Sequence, residues 1–186
     1  MRTDLSDHTA VVTGAAAGIG RATASLFSDH GATVVGLDID AEPHDSGPRF
    51  GDVVERGELV VGDVSDPERV DELFAVAREY AEPSIAVNNA GIGSRGSISD
   101  VGLDAWREMY RVHVEGAYQV CRRALPAMVE RGDGRIVNVS SVGALVPYEE
   151  SVDYASAKGA LVSLTRQLAG DYSADGVRVN AVAPGI

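Results

Sequence analysis

Residues 9–20 read TAVVTGAAAGIG. An apolar, β-branched run of strand length, Thr9–Thr13, ends in a loop with glycines at 14, 18 and 20. A helical pattern follows over 18–30, where Ile19, Ala22, Ala24, Leu26 and Phe27 alternate with polar residues. Gly14, Gly18 and Gly20 permit a tight turn and close backbone approach. The helix start then offers unpaired N–H groups and a positive dipole end to a pyrophosphate. A plain structural turn is the alternative, and the strand–loop–helix setting favours the ligand.

Eighteen residues beyond Gly20 stands Asp38, just after a second apolar run, ATVVGL at 32–37. A carboxylate there reaches the hydroxyls of an adenosine ribose and repels a 2′-phosphate. Ala15, Ala16 and Ala17 fill the loop and Ile39 follows Asp38, so no basic side chain offsets it. NAD is therefore expected over NADP. With Asp40 and Glu42 nearby, a solvated acidic turn is the other reading.

The same alternation continues along the chain. Further strands are expected at 58–62, 84–88, 135–140 and 177–182, and helices at 67–80, 103–130 and 151–172. The 67–80 helix has Asp66 as its N-cap and Pro67 at its first position. The 103–130 helix is expected to be interrupted at Gly116 and Pro126. Residues 41–57 carry Pro43, Gly47, Pro48, Gly51 and Gly57, so any helix there is short or irregular. Short apolar strands separated by helices imply βαβ units and a parallel sheet covered on both faces.

The chain has 186 residues, 45% apolar and 24% charged, which suits one folded domain over 1–186. No apolar stretch approaches the roughly 18 residues of a membrane span. Met1 to His8 has no apolar signal core. Cys121 is the single cysteine, which excludes an intramolecular disulfide framework and a cysteine-cluster metal site. The net charge of −12 argues against nucleic acid or an anionic membrane as partner. A cytoplasmic location follows by default. Fifteen of the basic residues are Arg and one, Lys158, is Lys. Acidic excess with scarce Lys suits a halophilic, high-salt cytoplasm; a GC-rich genome explains only the scarcity of Lys.

That lone lysine lies four residues after Tyr154, which places phenol and ammonium on one helix face, roughly 5–6 Å apart at Cβ. A free Tyr titrates near 10 and is a poor base at neutral pH. A unit charge about 6 Å away, at an effective dielectric of about 20, is worth on the order of 3 kcal/mol, which could lower the Tyr154 pKa by about two units. Tyr154 then suits proton exchange with an alcohol or carbonyl oxygen. Ser141, placed at the end of the fifth strand, can hydrogen-bond that oxygen. Alone, a Tyr-x3-Lys pair is an ordinary helix surface. It gains weight because this chain uses Arg everywhere else.

Taken in order, Thr13–Gly20, Asp63-Val64, Asn88-Asn89-Ala90-Gly91, Ser141, Tyr154/Lys158 and Pro184-Gly185 resemble the motifs of the short-chain dehydrogenase/reductase family, over about 9–186. The resemblance implies a Rossmann-type, doubly wound α/β fold in three layers, with six of the usual seven strands present. It implies that Gly14, Gly18, Ile19 and Gly20 hold the pyrophosphate of NAD. Asp38, with Ile39 beside it, would bind the adenosine ribose, and Asp63 and Val64 would contact adenine. Asn89, Ala90 and Gly91 would line the crevice; Pro184, Gly185 and Ile186 would flank the nicotinamide. Tyr154 would be the catalytic acid/base, Lys158 would bind the nicotinamide ribose and lower the Tyr154 pKa, and Ser141 would orient the substrate oxygen. The expected activity is interconversion of a secondary alcohol and a ketone, on a small-molecule substrate. The expected assembly is a homotetramer or dimer through the helices at about 103–130 and 151–172.

Two features depart from the family pattern. His113, in Val112-His113-Val114-Glu115-Gly116, stands where an asparagine is usual. It either substitutes for the asparagine, through its carbonyl and ring hydrogen bonds, or adds a catalytic group titrating near neutrality. The chain also stops at Pro184-Gly185-Ile186, before the substrate-covering segment and seventh strand, so the domain is expected to be C-terminally incomplete. A fragment of a longer protein fits this, as does a truncated, catalytically inactive dinucleotide-binding or interaction module. An epimerase or dehydratase is disfavoured by the glycine spacing. Leu145, Val146, Pro147 and Tyr148 suggest a partly apolar substrate wall.

Overall fold

A computed structural model describes residues 4–185. Six strands, β1 (Thr9–Thr13), β2 (Thr33–Asp38), β3 (Leu59–Val61), β4 (Ile85–Asn88), β5 (Gly134–Val139) and β6 (Val177–Val182), form one parallel sheet in the order β3-β2-β1-β4-β5-β6. The helices are α1 (Gly18–Asp29), α2 (Phe50–Val53), α3 (Pro67–Tyr80), α4 (Leu103–Tyr110), α5 (Gly116–Arg131) and α6 (Val152–Tyr172). The architecture is the doubly wound three-layer α/β fold. Strand order reverses between β1 and β4, and a crevice opens there at the carboxyl ends of the strands.

Side-chain alternation along β1 shows why the sheet needs helices on both faces. Val11 joins Val35, Leu73, Phe74, Met128 and Ile136 in one core, on the side of α3, α5 and α6. Ala10 and Val12 join Ala24, Val34, Phe50 and Val87 in the other, on the side of α1 and α2. Both faces of β1 are buried, hence the uninterrupted apolar run. On β6 only Val177 and Val179 are buried; Arg178 and Asn180 are exposed.

Asp66 caps α3, its carboxylate accepting from the Glu68 N–H at 2.9 Å, with Pro67 at the first position. The stretch 41–57 holds only the single turn of α2. The helix expected over 103–130 is not interrupted at Gly116 or Pro126. It runs on through a π-helical segment, Arg111–Glu115, where the Gly116 N–H reaches back to the Arg111 carbonyl. Gly116 is a close-contact residue: a Cβ on it would stand 2.9 Å from Val64 Cγ1. Pro126 lies inside α5 on its exposed side, where a missing N–H leaves a carbonyl that water can serve. Among the described residues no helix is long and apolar enough to cross a membrane.

Candidate functional site

The glycine loop is built by its neighbours. Thr13, buried at the end of β1, accepts through Oγ1 from the N–H groups of Asn89 and Ala90, both at 3.0 Å. The Asn89 side-chain amide donates back to the carbonyls of Thr13 (3.0 Å) and Gly14 (3.1 Å). The ends of β1 and β4 are thus stitched together at the strand-order reversal. Gly14 has φ +65°, and a Cβ there would come within 2.9 Å of Ala90 Cα. Gly18 has φ +53° with open space above it.

Asp38 is the last residue of β2 rather than the first beyond it, since its backbone still pairs with Val61. Its carboxylate accepts from the N–H of Ala16 at 2.8 Å and of Asp40 at 3.2 Å, which holds it at the cleft mouth. A cleft of about 310 Å³ lies between it and Gly14, Gly18, Ile39, Asp63, Val64 and Ala90. The Asp63 carboxylate is turned to Ser65, which donates through N (2.8 Å) and Oγ (2.7 Å), and to Arg111 at 3.2 Å. Burial pushes its pKa up, but the Ser65 hydrogen bonds and the Arg111 charge outweigh that and hold it below the usual value. The helix start is not wholly open. The Gly18 N–H donates to Asp45 at 3.3 Å, and Asp45 also holds Arg21 in a two-point ion pair at 2.6 and 3.0 Å. This loop carboxylate occupies a site that attracts any anion.

A second cleft, of about 500 Å³, adjoins the first along Asn89, Gly91 and Ile92 and contains Ser141, Tyr154, Lys158, His113, Pro184 and Gly185. Ile186 lies outside the described residues. Lys158 is buried, its Nζ donating to the Val139 carbonyl at 2.8 Å and lying 5.6 Å from the Tyr154 ring centroid. Burial pushes its pKa down to about 8, so at neutral pH it remains mostly charged. Ser140 donates to the Lys158 carbonyl at 2.9 Å and fixes the helix against β5. Ser141 does not end β5; it lies two residues beyond and caps a short turn. Its Oγ accepts from the Gly143 N–H at 3.2 Å, so its own proton is free to be donated into the cleft.

His113 sits on the π-helical segment and is 2% exposed. Its Nε2 lies 2.9 Å from the Ile92 carbonyl and 3.1 Å from the Ile92 N–H, and a given tautomer serves one of the two. Gly91 makes room for it: a Cβ there would collide with Cε1 of the ring. Burial, then the Lys158 charge, push its pKa down to about 4. Of the two expectations for His113, the group titrating near neutrality is therefore corrected. The imidazole is neutral at pH 7 and acts as a hydrogen-bonding residue.

Several neighbours were not singled out from sequence. Ser94 donates to the buried Asp153 carboxylate at 2.6 Å, and Asp153 accepts from the Tyr154 N–H at 2.8 Å. Arg21, Asp45, Arg111 and Ser140 also belong to the frame. No short motif marks them, because each pairs with a residue distant in sequence. Among the described residues no group of three or more His, Cys, Asp or Glu could hold a metal.

The match to the family model of the short chain dehydrogenases spans residues 8–186. Oxidoreductase UcpA of Escherichia coli K12 is 39% identical over 97% of this chain and 70% of its own length. The 2-(S)-hydroxypropyl-CoM dehydrogenase 3 of Xanthobacter autotrophicus is 39% identical over 100% of this chain and 73% of its own. The cis-4-hydroxycyclohexanecarboxylate dehydrogenase of Sinomonas cyclohexanicum is 38% identical over 97% and 73%. A crystal structure from Burkholderia xenovorans, described as a short-chain dehydrogenase/reductase, superposes with a TM-score of 0.90 at 31% identity, covering 98% of this chain and 75% of that one. Fold, motif order and these likenesses agree, and the chain belongs to the short chain dehydrogenase family of oxidoreductases.

Proposed function

We propose that this chain is an NAD-dependent oxidoreductase of the cytoplasm that interconverts a secondary alcohol and a ketone. The observation that carries the reading is the buried Lys158 ammonium, 5.6 Å from the Tyr154 ring, in a cleft shared with Ser141 and continuous with the cleft of Asp38. The residues fit the cofactor: no atom stands where a Gly18 Cβ would be, the Asp45 carboxylate at the Gly18 N–H shows that the start of α1 takes an anion, and the half-exposed Asp38 offers a fixed acceptor at the far end. Bound NAD would accept the carbinol hydrogen as hydride. Gly14, Gly18, Ile19 and Gly20 would hold its pyrophosphate, Asp38 and Ile39 the adenosine ribose, Val64 the adenine, and Lys158 the second ribose.

In the oxidation direction Tyr154 takes the hydroxyl proton as the carbinol C–H bond breaks, and in reduction it returns that proton to the carbonyl oxygen. The Lys158 charge stabilises negative charge on the phenol oxygen. Ser141, already accepting from Gly143, donates to the reacting oxygen and orients it. Neutral His113 keeps the 92 segment against the long helix beside Tyr154. The names of two relatives, dehydrogenases of hydroxypropyl-CoM and of hydroxycyclohexanecarboxylate, support a hydroxyl-bearing substrate. NAD over NADP rests on Asp38. The apolar groove between α5 and α6, lined by Tyr118, Leu125, Pro126, Leu164 and Leu168, supports self-association into a dimer or tetramer, which analytical ultracentrifugation tests.

The Tyr154→Phe substitution tests the assignment. Turnover should fall by about three orders of magnitude or more, with NADH binding by fluorescence nearly unchanged. Substantial residual turnover would assign the proton transfer elsewhere.

A further inference from the structure

Among the described residues, the substrate end of the cleft carries one accessible cation. No Asp or Glu belongs to its lining, Lys158 is buried against the Val139 carbonyl, and His113 is enclosed. Arg95 remains, exposed at the opening and, among the described residues, without a carboxylate partner. Eight of the fourteen described arginines hold a carboxylate, and Arg95 is one of the six that do not.

The backbone of Arg95 is pinned on both sides to the start of the helix that bears Tyr154. Before it, Ser94 Oγ donates to Asp153 at 2.6 Å. After it, the Gly96 N–H donates to the Glu150 carbonyl at 2.7 Å, and the Gly96 carbonyl accepts from the Val152 N–H at 3.5 Å, forming an isolated parallel bridge with Ser151. These ties set where Arg95 stands relative to Tyr154 and leave its guanidinium free. A protein of net charge −12 repels anionic ligands, so a pinned, unpaired guanidinium at a cleft end whose lining holds no carboxylate, the nearby Asp153 being engaged by Ser94, creates a local exception.

We propose that Arg95 anchors an oxyanion of the substrate, and that the site takes secondary alcohols or ketones carrying a carboxylate or sulfonate beyond the reacting carbon. The guanidinium presents paired N–H donors in a planar fork that matches such a group at two points. Arg95 is thus a specificity residue: it contacts the far end of the substrate, while Tyr154 handles the reacting oxygen. The inference rests on the oxidoreductase reading above.

The test uses matched acids and neutral analogues: β-hydroxybutyrate and γ-hydroxyvalerate, each against its amide, and acetonesulfonate against its sulfonamide. Turnover with NAD or NADH is measured, and binding of each acid to the NADH-loaded chain is followed by calorimetry. At least one acid should exceed its neutral partner by about ten- to a hundredfold in kcat/KM, the scale of a charge-assisted hydrogen bond. In Arg95→Gln that ratio should collapse toward one through a higher KM rather than a lower kcat, and Arg95→Lys should restore part of it. Added salt should raise KM for the acids and not for the amides. Carboxylate and sulfonate arms show which oxyanion fits. Equal handling of acids and neutral partners overturns the proposal, as does a preference that survives Arg95→Gln. So does NADH binding without binding of any acid. Failure to bind NADH at all would instead overturn the oxidoreductase reading.

Discussion

The imidazole of His113 stands edge-on to the ring of Tyr154, with 5.6 Å between centroids and 87° between planes. This contact joins a π-helical turn to the residue placed at the reacting oxygen, and it makes the protonation state of His113 a structural matter. The folded ring titrates at about 4, against an ordinary value of 6.5. Between those values the unfolded chain binds more protons, so stability falls as pH drops through the window. The full shift corresponds to roughly 3 kcal/mol lost on acidification. Thermal denaturation across this range, compared with His113→Asn, should show a steeper acid loss in the wild type. Parallel profiles would mean that His113 contributes no linked protonation.

Lys158 predicts a conflict between stability and activity. Its folded value of about 8 lies below the ordinary 10.5, so the folded state binds fewer protons between these limits and stability rises with pH across them. Below about pH 8 the protein carries a buried charge whose cost is partly offset by the bond to Val139. Lys158→Met keeps the length and removes the charge. It should leave the protein equally stable or up to about 2 kcal/mol more stable at neutral pH, while turnover falls sharply. A lower melting temperature together with unaltered kinetics would contradict both halves.

Thr13→Val is nearly isosteric, yet it leaves the N–H groups of Asn89 and Ala90 without their common acceptor. Two part-buried donors lost in this way cost about 1–3 kcal/mol, and the loosened 89–91 segment should weaken NADH binding. Thr13→Ser keeps the oxygen and should recover most of both. Chemical denaturation and fluorescence titration of the two variants separate a hydroxyl effect from a methyl effect.

Asp38 and Arg21 attach to opposite ends of one residue: the Asp38 carboxylate accepts from the Ala16 N–H at 2.8 Å, and Arg21 Nη1 donates to the Ala16 carbonyl at 3.4 Å. Asp45 neutralises that guanidinium, and the pair holds its carboxyl well below the usual range. Asp38→Ser should raise the KM for NAD about tenfold and shrink its advantage over NADP, and adding Asp45→Asn should shrink it further by freeing Arg21. An unchanged NAD to NADP ratio in both variants would remove Asp38 from cofactor selection.

Much of the fold was legible because its signals are local. The apolar run of β1, the alternating pattern that opens β6 and the Asp66-Pro67 start of α3 carry their observed bounds in the sequence, since each depends on the spacing of neighbouring side chains or on capping within one turn. Local rules fail where a residue meets a distant partner. Gly116 reads as a helix breaker, yet it is the residue that lets the long helix approach Val64. The π-helical turn has no sequence period of its own.

For the candidate site, the sequence determined which chemical groups are present and their order along the chain: the glycine loop, Asp38, Ser141, Tyr154 and Lys158, and with them the family. Only the tertiary structure decided what surrounds those groups. It enclosed His113 until the ring became neutral, and it pressed Lys158 against a backbone carbonyl. It paired Arg21 with Asp45, and it tied Ser94 to Asp153 across 59 residues, leaving Arg95 pinned and unpaired. The physical reason is that burial and charge pairing depend on where chain segments meet after folding, and on the low dielectric they create there. Neither is encoded in the spacing of residues along a single element.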